Sequence, residues 1–214
     1  MKQPIGQMTG PEIKFRAKQA MAALIPIAGL KDHGPHLAVS TEIEITEEYA
    51  SNVAQRLSPY ILVTQTIPFE VGDDKLFGLE KDCLALTLKQ IASQVKALGI
   101  ERVVVLSLSN NSLEVAKEAL KGLSFKQKYI NIVENLPKVE ELTSESPVGK
   151  GNAYLTSLAL FLSSYLVKQD MLKYTDSSFG VVGDPKKATS EIGKKLYDAS
   201  FEGIVQVLDN FLRE

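Results

Sequence analysis

The stretch Val103 to Leu108, VVVLSL, is apolar at every position but Ser107. A strand with one wet face alternates apolar and polar residues. A strand apolar almost throughout has to be covered on both faces, as in a parallel sheet. Helical periodicity lies on either side of it. Leu84, Leu88, Ile91, Val95 and Leu98 form an apolar stripe before it, from a cap at Asp82 to a stop at Gly99. Ser109-Asn110-Asn111-Ser112 is a polar turn after it, followed by a helix to Gly122. An interior strand between two amphipathic helices predicts an α/β chain with a mostly parallel central sheet and helices on both faces.

The rest of the chain repeats the alternation. Residues 1–12 contain Pro4, Gly6, Gly10 and Pro11 and read as an extended lead-in, with a short helix from Glu12 to Met21. Ala22 to Ile27 is a buried strand. Thr41 is the expected N-cap of the next helix, with Glu44 completing a capping box. Ile45, Tyr49, Val53 and Leu57 carry that helix to Pro59. Tyr60–Ile67 and Tyr129–Val133 read as strands, and Pro68–Lys81 and Asn135–Gly151 as long loops. Ala153–Val167 reads as an apolar helix, Phe179–Val182 as a last strand, and Ala188–Leu212 as the final helix. No repeat or low-complexity tract divides the chain, so residues 1–214 are expected to form one domain.

Composition narrows the function classes. The net charge of −2 offers no electrostatic case for nucleic acid or an anionic membrane. Cys83 is the only cysteine, so no intrachain disulfide or cysteine-based zinc site can form. No apolar run reaches membrane-spanning length, and the N-terminus lacks the apolar core of a signal peptide. A cytoplasmic location is the expectation.

The rule that α/β sheets build sites beyond the carboxyl ends of their strands brings three loops together: Lys31–Thr41, Ser109–Ser112 and Gly183–Pro185. The loop at 68–81 is placed over them. The first loop holds both histidines of the protein, His33 and His36, beside Asp32, Glu42 and Glu44. Those are metal-ligand types. The competing reading is structural: polar residues suit a strand-to-helix loop, and acidic residues suit a helix's first turn. Ser109 to Ser112 offers hydrogen-bond donors, or simply a turn and an N-cap. Asp184 is open to the same two readings, as an anion-binding turn or a structural hydrogen-bonder. No G-x-S-x-G elbow surrounds Ser107 or Ser109. Cys83 is read as a packing residue.

The stretch Pro26-Ile27-Ala28-Gly29, Asp32-His33-Gly34-Pro35-His36-Leu37 and Ser40-Thr41 resembles the creatininase (creatinine amidohydrolase) family signature, approximately P-x-G-x-x-E-Q-H-G-P-H-L-P-L-x-T-D. The likeness continues through Phe77-Gly78, Leu98-Gly99-Ile100 with the strand Arg102–Leu108, Thr156-Ser157, and Gly180–Pro185 with Ala188. The resemblance implies a three-layer α/β/α fold, usually a homohexamer. It also implies a two-metal site, zinc or manganese, hydrolysing amide-type C–N bonds of small cyclic or formylated substrates.

Set against the family pattern, the ligand positions are mostly changed. Lys31 stands at the first-motif glutamate, His33 keeps the motif histidine, and Glu42 replaces the bridging aspartate. Ser109 replaces a histidine, Asn111 falls on the next ligand position, and Lys150 and Leu155 stand at the catalytic histidine and its glutamate. The resemblance therefore implies a largely degenerate site and no bound metal. His33 and Glu42 are the ligands if one binds, and Lys31 pairs with Glu42 in a cleft with Asp32, His36, Ser109 and Asn111. The expected function is a non-catalytic or ligand-binding homologue, with a small-molecule ligand, self-association, or assembly with an active paralogue. An alternative is an active amidohydrolase or deformylase using His33, His36, Glu42 and a further carboxylate, Asp32 or Glu70. A third is a purely structural or regulatory subunit.

Overall fold

The computed structural model describes residues 4–72, 75–135 and 149–214. Four parallel strands form the central sheet in the order β3-β1-β5-β6: β1 (Ala22–Ile27), β3 (Ile61–Val63), β5 (Arg102–Ser107) and β6 (Lys126–Asn131). β1 pairs Ala23 to Ile27 with Val103 to Ser107 of β5 and is buried at every residue. β6 forms one edge of this sheet, and its burial begins only towards its carboxyl end, at Ile130 and Asn131.

Alternation along the strands sorts two cores. Leu24, Val104, Leu106 and Ile130 face α2 (Thr41–Arg56), α5 (Ala153–Leu162) and α7 (Ser190–Arg213). Ala23, Ile25, Val103 and Val105 face α3 (Lys81–Ala97) and α4 (Asn110–Leu120), with Ala17 of α1 (Gly10–Ala17) at the margin. The result is a three-layer α/β/α fold. A second, two-stranded antiparallel sheet joins β2 (Leu30–Lys31) to β4 (Lys75–Phe77). The short α6 (Gln169–Leu172) precedes a segment of tight turns. Among the described residues no helix is long and apolar enough to cross a membrane.

Several boundaries differ from the sequence reading for local reasons. The capping box lies not at Thr41 but at the start of α1, where Thr9 and Glu12 satisfy each other. Ser40 is the cap residue of α2, and the Thr41 hydroxyl instead donates to the Ala38 carbonyl at 2.6 Å. Glu80, not Asp82, caps α3. The strand expected over 60–67 is only three residues long, with Ile67 bridging Ile27 separately. β6 starts three residues before the expected Tyr129. The apolar run after Ala153 leaves the helix at Ser163, because Val167 pairs with Leu37 of the histidine loop. The last expected strand, 179–182, is not one: Ser177–Phe179 is a 3-10 turn ending in Gly180 at φ +72°. Cys83 is exposed rather than packed. Within the expected loops, 73–74 and 136–148 lie outside the described residues, and 75–77 is strand β4.

α7 lies along α5 through close backbone approach. A β-carbon on Gly193 would collide with the Ser157 carbonyl oxygen and crowd Phe161. Exchanging a helical glycine for alanine ordinarily gains about 1 kcal/mol. Here the obstacle is backbone, and overpacking typically costs about 1–3 kcal/mol. Gly193→Ala is therefore expected to lower the urea midpoint with an unchanged m-value. A raised midpoint would mean that the two helices separate at little cost.

Candidate functional site

β1 sends its chain through α2 on one face of the sheet, and its neighbour β5 sends its chain through α4 on the other. The crevice between their carboxyl ends is the topological switch point, where open α/β sheets bind ligands. Three segments converge there. Lys31 ends β2, and the loop after it carries Asp32, His33 and His36 into α2, whose first turn holds Glu42. Glu70 comes from the loop after β3, and Ser109 from the end of β5.

Lys31 is the centre of this site. Its Nζ lies 2.6 Å from Glu70 Oε1 and 3.0 Å from Glu42 Oε2. Both glutamates are buried, Glu70 at 1% and Glu42 at 7% exposure, so neither carboxylate has bulk water to stabilise it. His33 is buried as well, with Nε2 3.3 Å from Glu42 Oε1, while its Nδ1 has no hydrogen-bond partner among the described residues. Ser109 stands beside Glu70, and its hydroxyl works against the rise in the Glu70 pKa. Its hydroxyl also accepts from the Ser112 backbone at 3.3 Å, so it serves as the N-cap of α4 too. Gly29 lets Glu70 in: a β-carbon there would strike the glutamate's Cγ.

The charges bias one another in different directions. Burial pulls Lys31 down, but the Glu42 and Glu70 carboxylates outweigh it and hold the ammonium above its ordinary value. Burial pushes Glu42 up, and the His33 contact and the Lys31 charge more than reverse it. Glu70 is raised, by burial first and by the Glu42 charge second. Of the two carboxylates, Glu70 is the one that more readily takes a proton.

The remaining positions stand around this centre. Asp32 is half exposed; it accepts from the Gly34 backbone at 2.9 Å and lies 3.6 Å from Lys150 Nζ. His36 is fully buried, its Nε2 2.9 Å from Thr156 Oγ1 on α5. Gly151 permits this packing, since a β-carbon would collide with the His33 carbonyl oxygen and crowd the His36 ring. Leu155 is buried in the core shared by α2, α5 and α7. Asn111 is exposed and lines a neighbouring cavity of about 640 Å³ with Val71, Gly72 and Leu79. Asp184 accepts from the Lys186 backbone at 3.2 Å and caps a 3-10 turn, as its structural reading expected.

Glu70 is the residue that the sequence marks least. It sits in a long loop without a motif, and only its place between apolar Phe69 and Val71 hints at burial.

Residues 6–208 match the model of a family described as creatininase, creatinine amidohydrolase. A search of curated proteins finds no match. Among solved structures, a creatinine amidohydrolase (creatininase) superposes with a TM-score of 0.86 at 18% identity, covering 98% of each chain. A structure described as creatininase Mn gives 0.84 at 16% identity over 98% of each chain. A variant creatininase complexed with creatine gives 0.81 at 18% identity, over 96% of this chain and 97% of that one. These likenesses establish the fold.

A divalent ion does not fit the residues as arranged. A site for one needs carboxylate, imidazole or thiolate donors around a free point. Here an ammonium holds that point, and an ammonium can only donate. Among the described residues no group of three or more His, Cys, Asp and Glu side chains is placed to hold a metal.

His36 makes the site pH-sensitive. Burial, then the nearby His33, lowers its pKa to about 4. A folded value below the unfolded one of about 6.5 means that protons favour the unfolded chain. The contribution of His36 is therefore complete above about pH 6.5 and lost progressively as pH falls toward 4, by about 3 kcal/mol. His36→Gln, which retains a donor toward Thr156, is expected to flatten the fall in Tm across that window relative to the native chain. Parallel curves would show that His36 does not titrate there.

Proposed function

Because the chain belongs to the creatininase family, we propose that it is a member whose metal-dependent amidohydrolase site has degenerated, leaving a non-catalytic or ligand-binding homologue. The observation that carries this is the Lys31 ammonium between Glu42 and Glu70. Metal-dependent amide hydrolysis needs a cation that polarises the carbonyl and ionises a water. An ammonium supplies charge but no open coordination position. The flanking chemistry is changed in the same sense. Ser109 caps the start of α4, Lys150 faces Asp32, and Leu155 is core. No described imidazole other than those of His33 and His36 exists to move a proton. What remains is a cluster of charged groups at the switch point, where open α/β sheets bind ligands.

One observation favours a second reading, an active amidohydrolase or deformylase with altered ligands. Glu42 and Glu70 meet at Lys31 Nζ, and His33 touches Glu42. Zinc or manganese binding there would require the lysine to leave. Elemental analysis after purification with added zinc or manganese, run beside assays on creatinine and formamide, separates the two. The expected result is neither stoichiometric metal nor turnover. About two ions per chain retained through dialysis, with turnover abolished by His33→Ala, would establish the active reading instead.

The proposal extends to assembly. Phe15, Phe77, Leu86, Tyr165, Tyr174 and Val182 are each at least 60% exposed. Self-association, a hexamer by family, covers such a surface, as does docking on an active paralogue. Light scattering at micromolar concentration is expected to report a mass several times that of one chain. A monomer would remove the self-association proposal.

A further inference from the structure

Three side chains from separate segments surround Lys31 Nζ. Glu42 comes from α2, Glu70 from the loop after β3, and His33 from the loop after β2. An ordinary buried ion pair matches one carboxylate to one ammonium, because each additional buried charge has to be offset. This site places two carboxylates on a single ammonium, at 3.0 and 2.6 Å. It adds a buried imidazole that touches only one of them, at 3.3 Å, and whose other nitrogen has no partner among the described residues. Two carboxylates and an imidazole are more acceptor than one lysine needs. They are also the donor set of a divalent cation with nitrogen and oxygen preference.

We infer that Glu42, Glu70 and His33 form a cation site that the chain fills with its own Lys31 ammonium, so that shortening residue 31 opens the site to a free cation. This rests on the reading that Lys31 excludes metal from the native site. The geometry sets the size of the change. Metal–carboxylate oxygen distances are about 2.0–2.2 Å. The present N···O distances of 2.6 and 3.0 Å leave each carboxylate less than about 1 Å to travel. While the lysine stem is present it holds them apart. Once the stem is gone, two buried like charges face each other, and a divalent ion or a small alkylammonium relieves the repulsion.

The test uses the full-length native chain, Lys31→Ala, Lys31→Ala/Glu70→Gln, Lys31→Met and Lys31→Met/Glu70→Gln. Thermal denaturation and isothermal titration calorimetry are followed with zinc chloride, manganese chloride and methylammonium chloride. The native Tm is expected to be indifferent to chelator. Lys31→Ala is expected to lose about 5–10 °C, to bind one divalent ion per chain and to recover Tm with it, with partial recovery by methylammonium. Adding Glu70→Gln is expected to weaken ion binding at least tenfold. Should Lys31→Ala not fold, the Met pair decides. Lys31→Met keeps the stem without the charge and is expected to melt below the native chain, and Glu70→Gln added to it is expected to raise Tm again. A Lys31→Ala chain as stable as the native one and inert to all three cations overturns the inference. Ion binding undiminished by Glu70→Gln, or a Met pair in which Glu70→Gln lowers Tm further, does the same. Metal retained by the native protein would overturn the parent reading too; a metal-free native protein with an inert Lys31→Ala overturns this inference alone.

Discussion

Two carboxylates buried side by side need a cation between them or a proton on one of them. Glu42 and Glu70 are both withdrawn from water, and Lys31 Nζ bridges them. The desolvation cost of such a group is several kcal/mol per ion, so the ammonium has to stay where it is. That requirement fixes the end of β2, the first turn of α2 and the loop after β3 relative to one another. It also explains why Gly29 and Gly151 line the crevice. Each allows a backbone or side chain to approach where a β-carbon would hold it off.

The sheet makes this arrangement possible. β1 is buried on both faces and pinned between β3 and β5. Its carboxyl end therefore opens at the interior of the sheet, beneath helices that leave to opposite faces. Polar groups delivered there are shielded from water by the layers on either side, and low polarity strengthens each contact. The fold shared with structures described as creatinine amidohydrolase and creatininase Mn here holds an internal salt cluster. What a site does lies in its side chains and not in the architecture.

The ends of elements show where local signals compete. Thr41 with Glu44 satisfies the capping-box pattern, yet the Ala38 carbonyl takes the Thr41 hydroxyl, and the box forms at Thr9 and Glu12 instead. Residues 179–182 carry an apolar run that suits a strand, but Gly180 adopts a left-handed turn and the segment packs over the histidine loop near Gly34 and Lys150. A four-residue run is too short for propensity to prevail over what it packs against.

The sequence by itself determined the α/β layering, because the apolar runs at 22–27 and 103–108 and the amphipathic stripes between them admit few other ways to bury their surfaces. It also marked the histidine loop, since both histidines stand in one short motif beside Asp32. Pairing of Lys31 with Glu42 was legible only through the family resemblance. Glu70 was not legible as a partner of Lys31 at all. It lies 39 positions further along the chain, in a loop without periodicity, and only tertiary packing through Gly29 brings the two together. Likewise the sequence placed Asn111 and Ser109 in one polar turn, but the fold turned Ser109 inward to Glu70 and left Asn111 exposed. Periodicity reports which face of an element is buried. Which charges meet once it is buried depends on loops whose paths are set by the whole fold.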